Sequence, residues 1–189
     1  MNQDSSSIIA DRIIHLAWQS SSPCDAATTQ LSGAQWAAVR FLARSNAISR
    51  KPSVFAEFHG TTRGTASQTL KSLETAGLAW REKDKTDGRS VRFSLTEVGE
   101  AIAQNDPVLR LSRVVNSLSD SDREKLGDLV EQLSVELAQV SANRCLGCCY
   151  QCHHFEPSGK DASPGTCLLN NRPEPVDDPS ALCVYFEPA

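Results

Sequence analysis

Residues 62–99 read TRGTASQTLKSLETAGLAWREKDKTDGRSVRFSLTEVG, and the succession of patterns in this stretch decides the fold. Thr62 can cap a helix running from about Arg63 to Ala76, and Gly77 supplies its stop. Ala66, Leu70 and Leu73 fall at i, i+4 and i+7 and make a core-facing stripe. Ser67, Gln68 and Lys71 face the other way, with Arg63 at the N-terminal end. Gly64 weakens the first turn. The period then changes from helical to alternating. Leu78 to Arg81 predicts a strand and Glu82 to Ser90 a charged turn holding Asp87-Gly88. Val91, Phe93 and Leu95 alternate with Arg92 and Ser94 as a second strand, and Thr96 opens a further helix. A two-faced helix followed by a hairpin with a long basic tip predicts a mainly α fold with a small β-hairpin wing.

Working upstream, Ser32-x-x-Gln35 is a capping box that opens a helix through Trp36, Val39, Phe41 and Leu42 to about Ser45. Pro52 suits the first turn of a short helix through Val54, Phe55 and Phe58, which His59-Gly60 ends. Short helix, tight turn and two-faced helix give helix-turn-helix order, in which the N-terminal half of the second helix enters the major groove of DNA. Thr62, Arg63, Ser67, Gln68 and Lys71 are then candidates for base-edge and phosphate contact. Lys83, Lys85 and Arg89 on the hairpin are placed to reach the backbone or the minor groove. Charge agrees with this placement. The chain carries a net −4, yet residues 50–92 hold nine Lys/Arg against five Asp/Glu. Residues 93–143 hold four against nine, and residues 144–189 three against six. One basic segment in an acidic chain is the footprint of a localised phosphate-binding face. A solvated charged hairpin and a winged helix used for protein contacts are the plainer readings of the same charges.

Gly77-Leu78, the charged segment Asp84 to Arg89 with Asp87-Gly88-Arg89 as an Asp-x-Arg, and Leu95-Thr96-Glu97-Val98-Gly99 resemble the wing and following helix of the MarR family of regulators. The resemblance covers about residues 8–141. It implies a homodimeric winged helix-turn-helix bound to a double-stranded DNA operator, with N- and C-terminal helices at the dimer interface. It also implies that Arg89 is the wing arginine of the minor groove, and that Thr62, Arg63, Ser67, Gln68 and Lys71 lie on the recognition helix.

The flanking segments fit a dimer. Ile9, Ile13, Leu16 and Ala17 recur at helical spacing until Ser20-Ser21-Ser22-Pro23 breaks the helix. Pro107 interrupts the helix begun at Thr96. Ser121-x-x-Glu124 reads as a second capping box, opening a helix in which Leu126, Leu129, Val130, Leu133, Leu137 and Val140 form one apolar stripe. That stripe predicts packing on a partner chain, with packing inside one subunit as the alternative.

After about residue 143 the periodicity vanishes, and cysteine, proline and glycine rise. We divide the chain there, into a DNA-binding and dimerisation domain over 1–143 and a loop-rich metal-binding module over 144–189. Six of the seven cysteines fall in the last 45 residues: Cys145, Cys148, Cys149, Cys152, Cys167 and Cys183. So small a module cannot bury much apolar surface and calls for a metal or a crosslink. Cys149-x-x-Cys152 can turn two sulfurs inward, and Cys145-x-x-Cys148 offers a competing pair, while Cys167 and Cys183 arrive singly. A structural zinc site favours two paired knuckles, whereas an iron–sulfur cluster accepts singly spaced thiolates. A thiol–disulfide switch is a third use of the same residues. His153 and His154 either ligate or flank. Cys149-x-x-Cys152-x-x-Phe155, Gly165-x-Cys167 and Cys183-x-x-Phe186 resemble small modules that hold a [4Fe–4S] cluster like that of high-potential iron–sulfur proteins. That resemblance implies Cys149, Cys152, Cys167 and Cys183 as ligands of one cluster, with Phe155 and Phe186 shielding it.

Residues 1–20 carry Asp4, Asp11 and Arg12 and lack the apolar core of a secretory signal, and no apolar run approaches a membrane span. A cytoplasmic protein without a membrane partner is expected. The sequence offers no Gly-rich dinucleotide loop and no nucleophile–base pair, so an enzyme is not expected. Two functions remain. One is a dimeric transcriptional regulator whose operator affinity is modulated by a [4Fe–4S] cluster in its tail, sensing redox state or iron. The other is a ligand-responsive repressor whose tail carries a structural zinc ion.

Overall fold

A computed structural model describes residues 5–21, 31–83, 90–140, 147–159, 164–169 and 173–189. In chain order its elements are helices α1 (Ser5–Ser21), α2 (Gly33–Arg44), α3 (Pro52–Phe58) and α4 (Arg63–Thr75), strands β1 (Ala79–Lys83) and β2 (Val91–Leu95), and helices α5 (Glu97–Ala103), α6 (Leu109–Asn116) and α7 (Asp120–Val140). The tail follows with β3 (Gly147–Cys148), a 3-10 turn (Cys149–Gln151), β4 (Phe155–Pro157), β5 (Gly165–Cys167), β6 (Glu174–Val176) and β7 (Leu182–Cys183).

The core gathers around α2. Its capping box forms as the sequence predicts: Ser32 Oγ accepts from the Gln35 N–H at 3.3 Å, and Gln35 Oε1 accepts from the Ser32 N–H at 2.9 Å. Trp36, Val39, Phe41 and Leu42 of α2 pack with Phe55 of α3, Leu70 and Leu73 of α4 and Phe93 of β2, all of them buried.

The stretch that decided the fold closes on itself. Gly77 adopts φ +72, the left-handed turn that stops α4. The Gly77 N–H donates to Glu74 O at 3.0 Å and the Leu78 N–H to Leu73 O at 2.9 Å, a Schellman ending that satisfies the last carbonyls. β1 and β2 pair antiparallel from Ala79↔Leu95 to Lys83↔Val91. The first strand therefore begins one residue later than expected and runs two further, because Leu78 is used by the helix ending. Thr96 joins the two ends. Its N–H donates to Leu78 O at 3.0 Å, its hydroxyl donates to Gly77 O at 2.7 Å, and Thr96 Oγ1 accepts from the Gly99 N–H at 3.1 Å. A Cβ on Gly99 would overlap the Leu78 carbonyl oxygen, so this position takes glycine only. The wing tip, with Lys85, Asp87, Gly88 and Arg89, lies outside the described residues.

α5 ends before Pro107, as expected. An unexpected clamp holds that break. Arg40 of α2 donates to both oxygens of Asp106, at 2.7 and 2.6 Å, and Asp106 also accepts from the Val108 N–H at 2.9 Å. Asp106 is 6% exposed. The start of α7 is a correction to the sequence reading. Ser119, not Ser121, caps the helix: its Oγ accepts from the Asp122 N–H at 3.2 Å and donates to the Asp122 carboxylate at 2.7 Å. Ser121 lies within the first turn, so the Ser121–Glu124 pair does not form the box.

α1 and α7 keep apolar side chains in solvent. Ile9, Ile13 and Trp18 on α1 are exposed, and Leu133 and Leu137 on α7 are 49% and 67% exposed, whereas Leu70 and Leu73 of α4 are fully buried. Packing within one subunit therefore leaves the α7 stripe open. Among the described residues no helix is long and apolar enough to cross a membrane.

The tail is built of short strands. β3 pairs with β7, and β4, β5 and β6 form a three-stranded antiparallel sheet. It folds back onto the corner between α2 and α3. Leu182 forms a parallel bridge to Ser45, and the Asn46 N–H donates to Leu182 O at 2.9 Å. The apolar exchange is reciprocal. Val184 of the tail joins the α2-centred core, and Ile48 of the corner packs on the tail's own cluster of Cys149, Cys183 and Phe186.

Candidate nucleic-acid interface and cysteine centre

α4 presents the predicted face. Ala66, Leu70 and Leu73 are fully buried, which leaves Arg63, Gln68 and Lys71 exposed and Ser67 half-buried on the outer side. Thr62 stands at the cap, one position before the helix. Its Oγ1 accepts from the Thr65 N–H at 3.1 Å and lies 2.9 Å from Thr65 Oγ1. It holds the first turn rather than lining the outer face. Exposed Thr65 sits on that first turn beside Arg63, a position the sequence reading passed over. On the wing, Arg81 pairs with Glu74 of α4 at 3.1 Å, so it ties the wing to the helix. Lys83 is exposed at the end of β1, while Lys85 and Arg89 lie outside the described residues. A helix with a locked inner face and an outer face of Arg, Gln and Lys donors can meet phosphates and the base edges of a major groove.

The second constellation is the cysteine centre. Cys149, Cys152, Cys167 and Cys183 come from four positions separated along the chain, and all line one cavity of about 380 Å³. The 3-10 turn carries the first of them and β5 and β7 carry the last two, while Cys152 follows the turn directly. Cys148 is excluded from the cavity: its thiol donates to Ser180 O at 3.0 Å. Cys149, the first residue of the 3-10 turn, lines the cavity, whereas Cys148, the last residue of β3, turns its thiol to Ser180. Cys24 and Cys145 lie outside the described residues. The five described cysteines are free thiols.

Two phenylalanines frame the centre through two glycines. A Cβ on Gly165 would overlap the Phe155 ring, and a Cβ on Gly147 the Phe186 ring. The repeated Cys-x-x-Phe spacing thus brings each ring against a glycine, Phe155 of β4 against Gly165 of β5 and Phe186, three residues past β7, against Gly147 of β3. His154 also lines the cavity, and its Nε2 lies 3.0 Å from Glu187 Oε2, which directs that nitrogen to a carboxylate.

The electrostatics of the cavity oppose bare thiolates. Burial pushes the Cys149 thiol up to about 12, and the neighbouring sulfurs of Cys183, Cys152, Cys167 and Cys148 add to the effect. Burial likewise raises Cys183, while the Tyr185 N–H and the Asn46 side chain hydrogen-bond its sulfur and pull the other way. Such thiols are poor nucleophiles. They ionise together when a cation accepts their charge. Arg50 borders the same cavity, and its own burial lowers its guanidinium from the ordinary value, with Glu100 opposing that shift. Among the described residues, no three His, Cys, Asp or Glu side chains are drawn tightly enough together to hold a single metal ion. Four soft sulfurs lining one cavity are a donor set that suits either a tetrahedral zinc ion or a polynuclear iron–sulfur cluster.

Fold and outer face together define a winged helix-turn-helix protein. Residues 29–90 match the model of the MarR family. Among solved structures, the chain is similar to the MepR–DNA complex of S. aureus, with 20% identity over 71% of this chain and 99% of that one and a TM-score of 0.54. It is similar to the transcriptional regulator SlyA at 20% identity over 71% of this chain and 96% of that one, again with a TM-score of 0.54. These likenesses establish the winged-helix fold. The family match ends at residue 90, well before the cysteines. No curated protein matches the sequence.

Proposed function

We propose that this protein is a dimeric, cytoplasmic, sequence-specific DNA-binding transcriptional regulator, and that a [4Fe–4S] cluster held by Cys149, Cys152, Cys167 and Cys183 modulates its operator affinity. The DNA-reading half is supported by the outer face of α4, by the MarR match over residues 29–90, and by a structural neighbour solved on DNA. Arg63 and Lys71 would take phosphates, Gln68 a base edge, and Lys85 and Arg89 of the wing the backbone or minor groove. Dimerisation is supported by the exposed apolar faces of α1 and α7. The two recognition helices of such a dimer read half-sites about one helical turn apart, so a pseudo-palindromic operator is expected.

The observation that carries the sensing half is the convergence of four cysteines on one 380 Å³ cavity while Cys148 turns outward. When bound, the cluster supplies one-electron redox chemistry and sensitivity to oxidants and iron supply. The chain's own residues do the rest. The Phe155 ring lines the cavity, the Phe186 ring is buried beside Cys149 and Cys183, and Asn46 and the Tyr185 N–H donate to the Cys183 sulfur.

The test is selection of binding sites from a random duplex pool with anaerobically purified protein, followed by affinity measurement before and after iron removal. A pseudo-palindromic consensus whose affinity changes by more than about tenfold, a typical coupling magnitude, is expected. An unchanged affinity would leave a winged-helix regulator with a purely structural tail.

A further inference from the structure

The tail meets the DNA-reading half at the corner between α2 and α3, and Cys183 stands at the middle of that contact. The residue before it, Leu182, bridges Ser45 and accepts the Asn46 N–H at 2.9 Å. The residue after it, Val184, donates its N–H to Ser49 Oγ at 2.9 Å and buries its side chain in the α2-centred core. Asn46 hydrogen-bonds the Cys183 sulfur itself. Ser45 and Ser49 are 1% and 0% exposed, so water does not replace these bonds without opening the corner. The corner is in turn wired to both DNA-facing elements. Arg50 Nε donates to Ser45 O at 2.8 Å, and Arg50 O accepts from the Phe93 N–H of β2, the second wing strand, at 2.9 Å. Lys51 caps α3, which packs directly on the recognition helix α4. By contrast, the tail's hydrogen bond to α7 joins two long side chains at the helix surface, Gln151 Nε2 to Glu131 Oε2 at 2.6 Å.

We propose that the state of the cysteine centre reaches DNA through this corner, with the segment 182–184 as a latch on Ser45, Asn46 and Ser49, rather than through the dimer helices. The proposal rests on the reading of the four cysteines as a cluster site. A held Cys183 keeps both of its neighbours in register with the corner. A released Cys183 leaves the latch to the Asn46–Leu182 and Val184–Ser49 hydrogen bonds and one valine, and local opening then frees α3 and the β2 end of the wing. The corner is thus the two-state element, and what differs between the states is a defined set of buried bonds.

The experiment is hydrogen exchange by mass spectrometry on the full-length, anaerobically purified protein, before and after iron removal, with the metal content of each sample measured. Exchange in peptides over residues 44–52 and 90–95 should accelerate about tenfold on iron removal, the scale of one buried hydrogen bond lost. Residues 126–140 should change by less than about twofold, the size of a minor local change. Ser49→Ala, which removes the acceptor of the Val184 N–H but no thiol, should keep its iron, accelerate residues 44–52 in the loaded form, and shrink the ratio of loaded to iron-free DNA affinity. Acceleration confined to residues 126–140, or an unaltered affinity ratio in Ser49→Ala, overturns the corner route and assigns the signal to the dimer helices. A parent protein isolated without iron overturns the cluster reading and the proposal with it, and the metal analysis tells that outcome apart from a failed route.

Discussion

The winged half and the cysteine tail of this chain are held together by different means. Around α2, Phe41, Leu42, Phe55, Leu70, Leu73 and Phe93 are buried together, an apolar core of the ordinary kind. In the tail the corresponding places are taken by Cys149 and Cys183, with the Phe186 ring buried beside them. The first half can fold on the strength of hydrophobic burial. The second has thiols where a core would be, and burial alone opposes their ionisation. The difference teaches that, under the proposed function, a module of this size would be completed by what its cysteines bind, which would make its fold and its occupancy one property.

Substitutions can break or sharpen this contrast. The largest effect should come from the winged core. Phe55→Ala removes a fully buried ring that lies 5.4 Å from the Phe41 ring, and should cost about 3–5 kcal/mol in denaturant unfolding of iron-loaded and iron-free protein alike. A cost that depended on iron would mean the two halves do not differ in this way. Next comes the Arg40–Asp106 clamp. Arg40→Ala leaves a nearly buried carboxylate without its partner and should cost about 2–4 kcal/mol, read from the same melts. Third, Cys152→Ala should abolish iron binding and open residues 147–189 to protease, while the helical transition shifts by less than about 1 kcal/mol. A collapse of the whole helical signal would show that the winged half depends on the tail for its stability. The smallest changes should fall on the reader. Gln68→Ala should relax base preference at one position by about 1–3 kcal/mol, and Lys71→Ala should lower the salt slope of binding by roughly 1, both with iron content unchanged.

Much of the winged half was legible because its signals are local. The Ser32–Gln35 box, the Thr62 cap, the Gly77 stop and the Thr96-x-x-Gly99 motif each act within a few residues, and the structure supplies the reason for each. The α7 cap was misread because Ser119 and Ser121 are both serines followed by an acidic residue three positions on, and only the geometry selects the first. The Arg40–Asp106 clamp spans 66 residues, and no periodicity marks such a pair. Docking of the tail was least legible of all. Its bonds join the backbones of Leu182 and Val184 to Asn46 and Ser49, and the Val184–Ser49 bond crosses 135 residues without any side-chain pattern to announce it. In the cysteine centre, the choice between adjacent Cys148 and Cys149 rested on resemblance, because the step from β3 into the 3-10 turn, which spacing does not mark, separates the two sulfurs.

The central claim is most directly tested by iron and sulfide quantitation, with the absorption spectrum, of the anaerobically purified full chain beside Cys149→Ala and Cys148→Ala. The account predicts brown protein absorbing near 400 nm, with one [4Fe–4S] cluster per chain. Iron should be lost in Cys149→Ala and kept in Cys148→Ala. A colourless parent replete with zinc, or a Cys149→Ala variant that keeps its colour, would contradict it.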